Sequence, residues 1–122
     1  MTRPAATVLA FDFGTRRIGM AIGNTLTGSA RELSTIDEPR DAPRWAAIAT
    51  VIGAWEPQIL VVGLPVHADG TPHAMTARAT NFAQRLRETV VRIGHGWRVG
   101  RHRRDAVECA ERALRRGIDE RE

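Results

Sequence analysis

The sequence predicts an α/β domain in which helices flank a mixed β-sheet. Two uninterrupted apolar runs of strand length, TVLAF at 7–11 and QILVVG at 58–63, are typical of strands that are covered on both faces. The intervening segment DAPRWAAIATVIGAW has apolar residues at helical spacing, so it supplies a crossover that makes the second run parallel to the first. A length of 122 residues fits a single domain over residues 1–122.

Three antiparallel strands are predicted in the N-terminal part. IGMAIG places Ile18, Met20 and Ile22 on one face, and the GTRR segment before it is interpreted as a hairpin turn. ARELSTI alternates weakly between apolar and polar residues, with Leu33 facing the core. Together with the second apolar run, the expected strands lie near residues 7–13, 18–24, 30–36 and 58–63.

Two helices are predicted from apolar residues that recur every three or four positions. The first is expected over about 43–55 with Asp41 as its cap, and the second over about 72–92 with Thr71 and Pro72 as start signals. The inward-facing residues are expected to be Trp45, Ile48, Ile52 and Trp55 in the first helix and Met75, Ala79, Phe82, Leu86 and Val90 in the second.

The composition is basic, with a formal net charge of +4 and eighteen arginines that account for all of the lysine and arginine. Coding bias explains the absence of lysine as readily as selection for bidentate phosphate contacts does. The charge is compatible with a nucleic-acid partner. Cys109 is the only cysteine, and no stretch approaches the ~18 apolar residues of a membrane span, so we expect a cytoplasmic protein without a membrane segment.

Asp12 is the first candidate for chemistry, because it follows an apolar strand and precedes a polar turn. Ligands gather at the carboxyl ends of parallel strands, so Asp12 and the loop that begins at Gly63 are expected at one edge of the sheet. A carboxylate there suits Mg²⁺, while Gly14 lets the backbone approach a phosphate and Thr15 offers a hydroxyl and an N–H. An ordinary turn is an equal alternative on spacing alone.

The loop GLPVHADGT resembles the first site in its glycines and its single acid. Asp69 either caps the following helix or faces the site, and capping is the preferred interpretation. His67 and His73 flank this acid, but their spacing matches no metal-binding motif, so we interpret them as loop residues.

The motifs FDFGTRRIGMAIGNTLTGSAR and VVGLP...DGT, in this order, resemble the YqgF (RuvX) family of the ribonuclease H-like superfamily. The resemblance runs from about Val8 to Leu86 and is weak after about residue 94. It implies a ribonuclease H-like sheet and metal-dependent phosphodiester hydrolysis, with acids that bind Mg²⁺ or Mn²⁺. Family members are assigned to maturation of pre-16S ribosomal RNA and to resolution of Holliday junctions, so the implied partner is pre-ribosomal RNA or branched DNA.

The resemblance makes Asp12 the catalytic and metal-binding acid. The candidates for phosphate or nucleic-acid binding are Gly14, Thr15, Arg16, Arg17 and Gly63. For the two arginines, a role as solvated turn residues is an equal alternative.

The C-terminal part departs from the family pattern. After Gly94, only Trp97 to Val99 is a candidate strand before AVECAERALRR resumes helical spacing. Anchoring on VECA places Arg101 and His102 where the family has an aspartate and a glutamate, and the family's third acid has no counterpart. We therefore expect a truncated or divergent C-terminal part, weak metal binding and impaired cleavage. A shifted reading frame near Gly94 is one hypothesis for these departures, which sequencing of the gene would test.

Two other functions remain open at this point. A nucleic-acid-binding module without cleavage would keep the fold and the basic surface but not the acids. An ATP-binding fragment of the actin-like or sugar-kinase type is disfavoured, because those proteins enclose nucleotide between two such domains and this chain has the length of one.

Overall fold

The computed structural model describes residues 6–63, 67, 69, 71–92, 98–102 and 110–111. Ala110 and Glu111 are helical. The strands and helices are, in chain order, β1 (Thr7–Phe13), β2 (Arg17–Asn24), β3 (Ser29–Asp37), α1 (Asp41–Trp55), β4 (Ile59–Gly63), α2 (Thr76–Arg92) and β5 (Arg98–His102).

The five strands form one mixed sheet in the order β3-β2-β1-β4-β5. β2 is antiparallel to β1 and to β3, whereas β4 is parallel to β1 and β5 is parallel to β4. The predicted α/β class, the hairpin at GTRR and the parallel crossover through α1 are therefore confirmed. Of the strand predicted at Trp97 to Val99, Trp97 lies outside the described residues, and Arg98 and Val99 belong to β5, which ends at His102.

Both faces of the central strands are buried, which explains why the sequence of β1 is apolar without interruption. Leu9 and Phe11 belong to the large core beneath α1 and α2, whereas Val8 and Ala10 pack on the opposite face with Ala110. Other residues of the large core are Ile18, Met20, Ile22, Ile36, Ile48, Ile52, Leu60, Val62, Phe82, Ala83, Leu86 and Val90.

The start of each helix differs from the prediction. Asp41 is the first residue of α1 and pairs with Arg85, and the preceding cap position is Arg40, which makes no side-chain cap. α2 begins at Thr76, four residues later than expected. The reason is local: the His73 N–H donates to the Thr76 hydroxyl oxygen at 2.7 Å and the Met75 N–H donates to His73 Nδ1 at 3.1 Å, and this bonding favours a turn just before the helix. The Asp69 carboxylate accepts hydrogen bonds from the Thr71 N–H and hydroxyl, at 2.9 and 2.6 Å, before the helix begins. Asp69 therefore does not cap α2.

The inward stripe of α1 ends earlier than predicted. Ile48 and Ile52 are fully buried and Trp45 packs against the core, but Trp55 remains 38% exposed. Trp55 is the last residue of α1, and its ring lies 5.2 Å from the guanidinium carbon of Arg31 instead of entering the core. In α2, Met75 is partly buried just before the helix begins, and the four other predicted residues are buried.

Candidate functional site

The candidate site lies where β1, β4 and β5 end side by side. Phe11 pairs with Val62, and Val62 pairs with Arg101, so one row of backbone crosses the three strands. The next residues along the strands are Asp12, Gly63 and His102, and Gly63 pairs with His102. The expectation that Asp12 and Gly63 reach the same edge is thus met: Asp12 is exposed there, and Gly63 is buried at the end of β4.

The residue of the neighbouring strand that pairs with Asp12 is a glycine. Gly19 of β2 pairs with Asp12, and a Cβ at Gly19 would lie 3.5 Å from the Asp12 Cβ. Gly19 also sits at an irregularity, because Met20 pairs with Leu33 while Ile18 pairs with Ile36. Two residues of β3 therefore oppose one of β2, which is the arrangement of a β-bulge.

The turn after β1 requires glycine at its first position. A Cβ added at Gly14 would overlap the backbone carbonyl oxygen of Arg17, and backbone cannot move aside as a flexible side chain can. Thr15, Arg16 and Arg17 are exposed beside it. The turn thus presents one hydroxyl and two guanidinium groups near the Asp12 edge.

Arg44 anchors this turn to α1 and was missed by the sequence interpretation. Its side chain is buried, with 7% of the residue exposed. Nη2 donates to the carbonyl oxygens of Gly14 at 3.0 Å and Thr15 at 2.8 Å, and Nε donates to the Glu38 carbonyl oxygen at 2.8 Å. The guanidinium also lies 5.5 Å from the ring of Phe13. Its position in the sequence indicates that it faces inward, because Arg44 precedes the buried Ile48 by four residues and so lies on the inward stripe of α1.

Arg16 and Arg17 converge on one carboxylate. Their Nε atoms lie 3.5 and 3.4 Å from the two oxygens of Asp37, and the arginine side chains are 74% and 64% exposed. Exposed ion pairs of this kind contribute about 0–1 kcal/mol and are screened by salt, so a phosphate can replace the carboxylate at modest cost.

Two further carboxylates near the start of α1 are paired with arginines. Hydrogen bonds from the side chain and backbone N–H of Arg40 lower the pKa of Glu38 to about 2. The hydrogen bond from Arg85 lowers the pKa of Asp41 below its usual value. Both groups are therefore ionised at neutral pH, and they offset part of the positive charge around the turn.

The described carboxylates at this end of the sheet are those of Asp12, at the end of β1, and Asp37, which is paired with Arg16 and Arg17. Within the described ranges, no group of three histidine, cysteine, aspartate or glutamate side chains is arranged to hold a metal ion. His67 and His73 approach each other, with ring centroids 5.2 Å apart, but His73 Nδ1 already accepts a hydrogen bond from the Met75 N–H. These residues alone do not make a complete site for a divalent cation.

The helices that the structure describes include none with the length and apolar character needed to cross a membrane.

The sheet order, with its first three strands antiparallel and the last two parallel to β1, is that of a ribonuclease H-like fold. The structure resembles that of Thermus thermophilus RuvC in complex with Holliday junction substrate, with a TM-score of 0.51 at 15% sequence identity. The likeness covers 79% of this chain and 64% of that one. It establishes the predicted fold.

The chain belongs to the RuvX family, which is described as Holliday junction resolvase and matches residues 6–99. Two similar relatives carry the name "Putative pre-16S rRNA nuclease". The protein of Dechloromonas aromatica (strain RCB) is 56% identical over 80 residues, which are 66% of this chain and 55% of the relative. That of Pseudomonas putida (strain KT2440) is 48% identical over 79 residues, 65% of this chain and 56% of the relative. The chain thus spans about half the length of the curated relatives it matches.

The family match contains every candidate site residue proposed from the sequence, from Asp12 to Gly63. It ends at residue 99, two residues before Arg101. The roles of the individual residues remain predictions.

Proposed function

We propose that the protein is a nuclease that hydrolyses phosphodiester bonds in pre-16S ribosomal RNA. The observation that carries this proposal is an exposed carboxylate, Asp12, at the end of the first strand in a chain of the RuvX family. The names of the similar relatives support ribosomal RNA as the substrate. The description of the family supports branched DNA as the alternative substrate.

The described residues take two kinds of role in this proposal. Arg16 and Arg17 attract the phosphate backbone, and their exposure leaves them accessible to it. Gly14 and Thr15 let the backbone approach a phosphate oxygen, with Gly63 on the adjoining strand. Asp12 is the proposed catalytic acid and a ligand for Mg²⁺ or Mn²⁺, which prefer oxygen donors.

A non-catalytic nucleic-acid-binding module is the second candidate function. It is favoured by one observation: Arg101 and His102 stand at the carboxyl end of β5, beside Val62 and Gly63. The family resemblance expects acids at these two positions. Two basic residues there would favour phosphate binding over binding of a divalent cation.

A cleavage assay with Asp12→Asn tests the proposal. A pre-16S rRNA transcript and a four-way DNA junction are incubated with the full chain and Mg²⁺ or Mn²⁺. We expect slow cleavage that EDTA stops and that Asp12→Asn abolishes, while RNA affinity changes less than about twofold because phosphate contacts dominate affinity. The matched control is Glu32→Gln, which removes the same charge from an exposed position on β3.

The outcomes separate the candidates. Cleavage that survives Asp12→Asn would contradict the proposed site. RNA binding without metal-dependent cleavage in the unmodified chain would favour the binding module, and faster cleavage of the DNA junction would favour the resolvase.

A further inference from the structure

We propose that Arg44 is a positioning residue that aims two backbone N–H groups, those of Thr15 and Arg16, at a phosphate of the bound nucleic acid. The ligand class rests on the proposed function, because nucleic acid supplies the phosphate. The geometry rests on the hydrogen bonds of Arg44 alone. Arg44 itself stays behind the turn and does not contact the substrate.

The direction of the N–H groups follows from the planarity of the peptide bond. Nη2 of Arg44 draws the carbonyl oxygens of Gly14 and Thr15 toward the N-terminal part of α1. In a trans peptide the C=O and the following N–H point in opposite directions. The N–H groups of Thr15 and Arg16 therefore point away from Arg44. Consecutive N–H groups with a common direction form a concave site for an anion.

The Arg44 side chain is suited to this task in a way that lysine is not. A planar guanidinium holds its donors in a fixed fork, so one side chain reaches the Gly14–Thr15 turn and the Glu38 carbonyl oxygen at once. An ammonium group on a flexible stem retains the charge but not the fork. The three described acceptors of the Arg44 guanidinium are neutral carbonyl oxygens, so its positive charge also favours an anion at the turn.

Arg40 provides a matched control on the same segment. It lies four residues before Arg44, its side chain is 76% exposed, and its guanidinium pairs with the Glu38 carboxylate. Arg40→Met therefore removes the same charge without releasing the turn. Arg44→Met removes the fork while keeping an unbranched side chain, and Arg44→Lys keeps the charge.

The experiment is a titration of the full-length chain with inorganic phosphate, followed by the backbone amide resonances of ¹⁵N-labelled protein. In the unmodified chain, the resonances of Thr15 and Arg16 should shift together. Arg44→Met and Arg44→Lys should weaken the phosphate affinity at these amides about tenfold, since hydrogen bonds to a charged acceptor are the strong ones. Arg40→Met should change it less than about twofold, as expected for an exposed ion pair.

A purely structural role for Arg44 would lower the unfolding midpoint without changing phosphate affinity in the folded variants, and that result would overturn the proposal. Phosphate affinity in Arg44→Lys equal to that of the unmodified chain would overturn it as well. A lack of response at Thr15 and Arg16 in the unmodified chain would also overturn it, and that measurement does not depend on the folding of any variant. Because phosphate binding needs no cleavage, an Arg44-dependent response in a chain that does not cleave RNA would sustain this inference while the proposed function fails.

Discussion

The two ends of the sheet both carry exposed arginines, but their surroundings differ. One end of the sheet holds Asp12. There, the side chains of Arg16 and Arg17 share the carboxylate of Asp37, and Arg44 fixes the backbone of the turn. At the opposite end, the guanidinium of Arg31 lies over the ring of Trp55. A cavity of about 210 Å³ there is lined by Thr7, Ile22, Gly23, Asn24, Thr27, Ser29, Ala30, Arg31 and Trp55.

This difference shows why positive charge alone does not locate a phosphate site. The described residues that line the cavity near Trp55 include one arginine and no carboxylate. The Asp12 end combines a catalytic candidate, two exposed arginines and a turn whose carbonyl oxygens are held by a buried side chain. A site for chemistry needs this fixed backbone direction as well as charge, because preorganised groups lose little freedom when they bind.

The largest effect is expected from restoring acids at the end of β5. Arg101→Asp with His102→Glu adds two acids at the end of β5, where position 101 pairs with Val62 and position 102 pairs with Gly63. Because residues of a strand alternate between the two faces of the sheet, position 102 is the one that shares the row of Asp12 and Gly63. Affinity for Mg²⁺ depends on converging oxygen ligands, so we expect metal-dependent RNA cleavage to rise at least about tenfold. The rate of transcript cleavage at saturating Mg²⁺ measures the effect.

Arg98→Asp is the control for this substitution. Arg98 pairs with Ile59 at the other end of β5, so an acid there adds negative charge far from Asp12 and should not raise the rate. If the doubly substituted chain is folded and still not faster, the alignment of these positions with the family's acids is wrong. A wholly shifted reading frame after Gly94 predicts that result.

The second effect concerns nucleic-acid affinity and directly tests the difference between the two ends. Arg16→Ala with Arg17→Ala should weaken binding to structured RNA about tenfold, as two charged contacts are lost. The slope of log affinity against log salt should also decrease by about two, the value for two phosphate contacts on a duplex. Fluorescence anisotropy at several salt concentrations gives both quantities.

The control variant is Arg31→Ala with Arg87→Ala, which removes two exposed arginines, one beside Trp55 and one on α2. It should leave most of the affinity and the slope in place. Equal losses in the two variants would mean that net charge, and not the turn after β1, determines binding.

Sequence patterns predicted the elements of the fold but not all of their ends. The apolar runs of β1 and β4 were decisive because burial on both faces removes polar residues from a strand. The start of α2 was misplaced because the side chains of His73 and Thr76 accept hydrogen bonds from the backbone of residues 75 and 73, and such bonds compete with a helix. Trp55 fitted the helical stripe, but it is the last residue of α1 and its ring lies against Arg31 instead of in the core.

The site was predictable only in part. Asp12 stands out because a carboxylate directly follows the apolar residues of β1, and the glycine at position 14 is explained by a backbone contact. Arg44 was missed because most arginines are exposed, so helical spacing did not suggest that this one binds backbone carbonyls. The pairing of Asp37 with Arg16 and Arg17 depends on the register between β2 and β3, which a bulge shifts.

The smallest effect is expected from Asp37→Asn, and its sign is opposite to that of the arginine variants. We expect Asp37 to compete with phosphate for Arg16 and Arg17, because its two oxygens lie 3.5 and 3.4 Å from their Nε atoms. Removal of its charge should strengthen RNA binding about two- to fivefold, the range that corresponds to an exposed ion pair. Glu32→Gln removes the same charge elsewhere on β3, so the difference between these two variants isolates the local competition from net charge. Equal affinity gains in both variants, measured by anisotropy at low salt, would show that Asp37 does not compete for the two arginines.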